Sequence, residues 1–150
     1  DKEAFGFASP DDDDCPFPNS ISDIELPLPG SIQLDQNFTI NGEITDRPSN
    51  LNSGNSNIIF ATPDLLKHAL TLRNRKNGDR FQPLGMTPKA KLQDFFVGAG
   101  VPERWRNRVP IIDSNQGIVW VAGYRLAEWA KVQPADTQVA RLELVSSNER

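Results

Sequence analysis

"VPIIDSNQGIVWVAGYR", residues 109–125, decides the fold class. Two apolar runs flank S-N-Q-G, and a short glycine-containing connection between such runs reads as strand, turn, strand. Successive side chains of a strand alternate sides, so Ile118, Trp120 and Ala122 share one face and Val119 and Val121 the other. Both faces are apolar, which predicts a strand inside a sheet and not at its edge. Further along, "TQVARLELV" (137–145) alternates Val139, Arg141 and Glu143 with Ala140, Leu142 and Leu144, and can close the sheet. Upstream, "IIFAT" (58–62) predicts a buried strand. "ALTLRNR" (69–75) predicts another, with Leu70 and Leu72 on one face and Thr71, Arg73 and Arg75 on the other. "NFTINGEIT" (37–45) alternates around Asn41-Gly42, a step that suits either a hairpin turn or a bulge within one long strand.

Helical patterning is confined to the middle of the chain. Thr87 suits an N-cap and Pro88 the first helical position, while Leu92, Phe95, Phe96 and Ala99 recur at i, i+3, i+4 and i+7. Gly98 and Gly100 supply stops, so the spacing predicts a helix over about 88–98. "VPERWRNR" predicts a second, short helix over about 102–107 with Trp105 turned inward. The expected fold class is therefore α+β: a mostly antiparallel, sandwich-like β domain with one or two short helices. "SPDDDDCPFPNS" combines repelling aspartates with prolines and predicts a tether over residues 1–22, ahead of a domain at 23–146 and a tail at 147–150. "RPSNLNSGNSN" (47–57) predicts a surface loop.

Charge is distributed unevenly. Between Arg73 and Arg108 stand nine basic residues against Asp79, Asp94 and Glu103, a local +6; the chain as a whole is −4, so the remainder carries −10. Guanidinium groups fork to phosphate oxygens and lysine adds a point charge, so this island suits nucleic acid. The competing reading is a solvated basic face with local ion pairs. Phe81, Phe95, Phe96 and Trp105 read as core and not as stacking platforms, which favours recognition of a structured RNA by backbone and shape.

Catalysis finds little support. His68 is the only histidine and Cys15 the only cysteine, so neither a two-histidine nor a cysteine-cluster metal site can form within these residues. Neither G-x-x-x-x-G-K-[ST] nor G-x-G-x-x-G occurs. No apolar run approaches the ~20 residues of a membrane helix. The start at Asp1, acidic and proline-rich without an initiator Met, suggests part of a longer protein.

Six pieces in order carry a resemblance. They are R-x-R-x-x-G-D-R at 73–80, P-x-G at 83–85, K-L-x-D-F-F at 91–96, V-P-x-x-x-R at 101–106, P-I-I-D at 110–113 and W-V-x-G-x-R at 120–125. Together they resemble the C-terminal domain of the tRNA(Ile)-lysidine synthetase family, with a weaker likeness from about residue 24 to 145 that includes "LPLPGSI" (26–32) and a core at 70–132. This chain has Ala90-Lys91 where the family usually carries two adjacent lysines, and its 47–57 loop resembles an insertion.

The resemblance implies a fold like that of a phenylalanyl-tRNA synthetase β-subunit domain. It also implies a parent ligase that uses ATP to adenylate C2 of the wobble cytidine of tRNA(Ile), after which lysine displaces AMP. The product, lysidine, decodes AUA. That chemistry, with ATP and Mg, would belong to an N-terminal domain carrying S-G-G-x-D-S, a motif absent from residues 1–150. The implied role here is noncatalytic: positioning tRNA from the acceptor-stem side, with tRNA(Ile) and the N-terminal catalytic domain as partners. A homodimer is left open, and the implied location is cytoplasmic, or a plastid stroma. The candidate phosphate contacts are Arg73, Arg75, Lys76, Arg80, Lys89, Lys91, Arg104 and Arg108. Arg125 could instead be structural, pairing with Asp79 or Asp94. The alternative role is a protein-interaction or interdomain-packing module without RNA contact.

Overall fold

The computed structural model describes residues 15–147, together with the backbone of β1 (Lys2–Glu3) and β2 (Gly6–Phe7), which pair in parallel with each other. Two antiparallel sheets form the framework. The five-stranded sheet contains β3 (Ile24–Leu26), β7 (Leu70–Arg73), β10 (Ile111–Ser114), β11 (Gly117–Val121) and β12 (Arg125–Leu126), in the order β12-β11-β10-β7-β3. The four-stranded sheet contains β4 (Gly30–Gln33), β5 (Phe38–Asp46), β6 (Ile58–Ala61) and β13 (Gln138–Ser146), in the order β4-β5-β13-β6. A small ribbon, β8 (Arg80–Phe81) with β9 (Ala90–Lys91), leads into the helix α1 (Leu92–Gly98). The expected α+β class, mostly antiparallel, is the class observed. Among the described residues, no helix is long and apolar enough to cross a membrane.

Apolar patterning places the core. Ile118 to Val121 are all buried, as an interior strand with two apolar faces requires. Leu70, Leu72, Ile112 and Trp120 from the five-stranded sheet join Ile40, Ala61, Leu142 and Leu144 from the four-stranded sheet in one contiguous cluster. Trp120 is fully buried and, among the described residues, its indole Nε1 has no hydrogen-bond partner, a defect that costs about 1–3 kcal/mol.

Asn41-Gly42 makes neither a turn nor a bulge. It lies in the middle of β5, where Gly42 faces Leu142 of β13 on one side and Gly30 of β4 on the other in unbroken register. A Cβ at Gly42 would stand 2.9 Å from Leu28 Cδ1 and 3.3 Å from Leu142 Cδ2. Close packing, and not turn geometry, requires glycine there.

The first helix begins four residues later than its local signals predict. Arg80 pairs with Lys91 and Phe81 with Ala90, which keeps residues 90 and 91 extended. Leu92 N–H then donates to Asp79 O at 2.9 Å, anchoring the helix start to the turn before β8. Leu92 and Phe96 are buried, and Phe95 meets Phe81 edge to face at 5.1 Å. Ala99 is exposed, beyond the last turn. The second predicted helix is a single 3-10 turn, Glu103–Trp105, with Trp105 half-buried.

The segment ahead of the sheets is anchored where it is described. Phe17 is buried against Trp105 and Tyr124, Ile21 N–H donates to Asn74 Oδ1 at 2.7 Å, and Asn19 N–H donates to Asp35 at 3.1 Å. Residues 15–22 thus pack on the domain, and the Asp11–Asp14 run expected to form the tether lies outside the described residues. The 47–57 segment is a surface loop that caps itself. Asn50, Asn52 and Asn55 each accept, through Oδ1, a hydrogen bond from the backbone amide two residues on.

Candidate nucleic-acid interface

The basic island folds around one cleft of about 680 Å³. Its walls are the 75–80 turn, the start of α1 and the 103–107 segment. Arg75, Lys76, Arg80, Lys91 and Arg106 line it beside Gln93 and Asn107. Cross-strand pairing of Arg80 with Lys91 explains how two cations eleven residues apart reach the same wall. Arg75 Nε–H donates to Asn107 Oδ1 at 2.8 Å, with its guanidinium 6.0 Å from the Phe96 ring centroid. Arg80 donates to Lys89 O at 3.1 Å, and Arg106 Nε–H donates to Val101 O at 3.0 Å. These partners orient the guanidinium groups without neutralising them. Lys76 is the exception, forming an exposed ion pair with Asp23 at 2.9 Å, which is worth about 0–1 kcal/mol.

Arg73 does not belong to this surface. It is 5 % exposed and bonds Asp79 through both terminal nitrogens at 3.0 Å, while Nε–H donates to Asp113 Oδ2 at 2.9 Å. Burial alone would lower its pKa, but the hydrogen bonds and charges of Asp79 and Asp113 outweigh that and raise it. Four of its five N–H groups are engaged by Asp79, Asp113 and the Asn74 carbonyl, and the buried guanidinium is out of reach of a phosphate at the surface. Its function is internal: Asp79 also accepts the Lys76 backbone N–H at 2.7 Å, so Arg73 fixes the 76–79 turn that carries the cleft cations. Asp79, one of the two partners expected for Arg125 beside Asp94, is thereby taken. Arg125 instead donates to Leu84 O at 3.3 Å.

The remaining candidates separate. Lys89 is exposed just ahead of β9 and does not line the cleft. Arg104 is exposed, its guanidinium 5.7 Å from the Trp105 ring centroid. Arg108 is half-buried, its Nε–H donating to Pro18 O at 3.0 Å and Nη2 to Phe17 O at 2.9 Å. It holds the 15–22 segment in place and is a structural arginine. Arg106 was absent from the expected contacts although it is the last residue of the V-P-x-x-x-R piece. The 3-10 turn brings it into the cleft with Asn107, a placement that the helical reading of 102–107 could not supply.

Two acidic residues also border the cleft. Asp79 is engaged by Arg73, and Glu103 has no cationic partner among the described residues. Five cations against these two leave a positive concavity suited to a polyanion. Among the described residues, no group of three or more His, Cys, Asp or Glu is placed to hold a metal ion. His68 Nδ1 lies 3.1 Å from Asn115 Oδ1, with its ring edge to face against Trp129. Neither neighbour supplies a nucleophile.

Comparison with known proteins agrees with this architecture. The chain is 34 % identical over 133 residues to the tRNA(Ile)-lysidine synthase of Dehalococcoides mccartyi, covering 88 % of this chain and 28 % of that protein. The enzyme of the same name from Caldanaerobacter subterraneus is 37 % identical over 86 residues, 57 % of this chain and 18 % of the relative. The chain therefore matches only 18 % to 28 % of these relatives' length. A solved structure described as the crystal structure of a TILS C-terminal domain superposes with a TM-score of 0.71 over 85 % of this chain and 98 % of that one, at 24 % identity. The family model for the TilS substrate C-terminal domain matches residues 70–144, half of the sequence and the part that builds the cleft, and the chain belongs to that family.

Proposed function

We propose that this domain serves a tRNA(Ile)-lysidine synthase as its tRNA-positioning module, with the 680 Å³ cleft receiving backbone phosphates. The observation carrying this reading is the gathering of Arg75, Lys76, Arg80, Lys91 and Arg106 around one concavity, four of them without a carboxylate partner among the described residues. A folded domain ordinarily disperses or pairs such charges; a cluster held by amide and carbonyl partners retains its full attraction for an anion. Lys89 and Arg104, both exposed, are further candidate contacts outside the cleft lining. The parent enzyme would activate the wobble cytidine with ATP and attach lysine. ATP and Mg are assigned to the part of the enzyme outside this chain, because residues 1–150 contain no phosphate-binding glycine loop. A cytoplasmic setting follows from that role.

A salt titration of this 150-residue chain binding tRNA(Ile), and an unrelated elongator tRNA, tests the reading. Three to five phosphate contacts predict a log–log slope of roughly −2 to −4, at about 0.7 to 0.9 per phosphate. Preferential binding of tRNA(Ile) with such a slope is expected. Absence of binding at low salt would assign the cleft to packing against the rest of the enzyme instead.

A further inference from the structure

The sequence contains two Asn-Gly steps, Asn41-Gly42 and Asn77-Gly78, and the fold treats them oppositely. Asn41 is in the middle of β5, bonded by Ser31 Oγ at 2.6 Å, and Gly42 is buried with side chains against it. Asn77 is exposed at the tip of the turn Lys76–Asp79, closed by Asp79 N–H donating to Lys76 O at 3.2 Å. Gly78 there has φ +86° and open space where a Cβ would stand, a left-handed conformation that suits glycine at the third position of a tight turn. Among the described residues, neither the Asn77 side chain nor the Gly78 amide has a hydrogen-bond partner. The asparagines of the 50–57 loop differ again, since Asn52 and Asn55 spend Oδ1 on backbone amides.

We infer that Asn77 is a site of spontaneous deamidation, and that the charge it gains regulates the phosphate cleft. The Gly78 amide nitrogen, giving up its proton, attacks Asn77 Cγ; the Cγ–Nδ2 bond breaks and ammonia leaves. Water then opens the resulting succinimide at either carbonyl, giving aspartate or isoaspartate. The net change is one amide and one water converted to one carboxylate and one ammonium ion. Three features favour this at Asn77: an unshielded glycine amide, a side chain unbound by neighbours, and a turn outside any sheet ladder. Asn41 lacks all three. The product places a carboxylate on the wall of the cleft that holds Arg75, Lys76, Arg80, Lys91 and Arg106. It therefore opposes the polyanion that those cations attract. The regulatory half of this inference rests on the RNA reading above; the modification itself does not.

The test ages the whole chain in mildly alkaline buffer and maps its peptides by mass. The expected result is exchange of NH for O at Asn77 well ahead of Asn41. If Asn77 does not lead Asn41, the site is overturned. The aged protein and Asn77→Asp should bind a tRNA(Ile) transcript several-fold more weakly, with a salt slope shallower by about 0.7 to 0.9. Asn77→Gln, which keeps a neutral amide, should bind more tightly than Asn77→Asp. Unchanged binding by Asn77→Asp while Arg80→Ala weakens it would overturn the regulatory effect. Unchanged binding by both variants would overturn the RNA reading and its regulation together, with the modification judged by the mass map alone.

Discussion

The four-stranded sheet and the cleft beside the five-stranded sheet use arginine in opposite ways. On the sheet, Arg141 lies between Glu143 at 2.9 Å and Glu43 at 3.7 Å. In the cleft, Arg75, Arg80 and Arg106 are oriented by one neutral group each. Arg73 stands at the border, paired with carboxylates like Arg141 but supporting the turn that exposes the others. Cation count therefore says little about binding; the partner set says more. A guanidinium whose donors are spent on carboxylates stabilises the domain, and one held by an amide or carbonyl keeps its charge available.

The largest effect should come from Arg73→Met. Removing one member of a buried ionic network leaves Asp79 and Asp113 uncompensated, a loss of about 3–5 kcal/mol in urea unfolding. A loss below 1 kcal/mol would erase the distinction between Arg73 and the cleft arginines. Phe17→Ala should cost about 3 kcal/mol and release the segment held by Arg108, detectable as faster proteolysis ahead of Ile24. Replacing both Arg80 and Lys91 by alanine should reverse the pattern. Stability should change by no more than about 0.5 kcal/mol for each exposed site, while the tRNA salt slope should fall by about 1.4 to 1.8. Arg141→Ala should do least, with a half-exposed pair worth about 0–1 kcal/mol and tRNA binding unaltered. Weakened binding in that last variant would extend the interface onto the sheet and break the contrast.

How much of this was legible depended on how local the deciding interactions were. The interior position of β11 and the alternation of β13 followed from their own residues, because burial on one or both faces is written in the period of two. The start of α1 was not legible. Thr87 and Pro88 carry real helix-start signals, but pairing of Arg80 with Lys91 across ten intervening residues keeps the chain extended past them. Asn41-Gly42 misleads similarly, because its turn preference gives way to two flanking strands that are supplied from elsewhere in the sequence. At the site, the cationic island and its motifs located the right region. Alternation placed Arg73 with Arg75 on one outer face, whereas Asp113, forty residues away, draws Arg73 inside. Arg106 required knowing that 103–105 forms a 3-10 turn and not a regular helix.

The order of the four-stranded sheet bears on synthesis. β13 sits between β5 and β6, so the last strand fills an interior slot that its neighbours must hold open. As a ribosome emits the chain, β5 and β6 are complete while nearly eighty residues still separate Ala61 from Gln138. Pairings of such long sequence separation form late and slowly. Until they do, β5 presents an unfilled nine-residue edge, the template on which strands of other chains can add. A message cut short before residue 138 would leave that edge permanently open, which marks the nascent domain, more than the finished one, as the form in need of a chaperone.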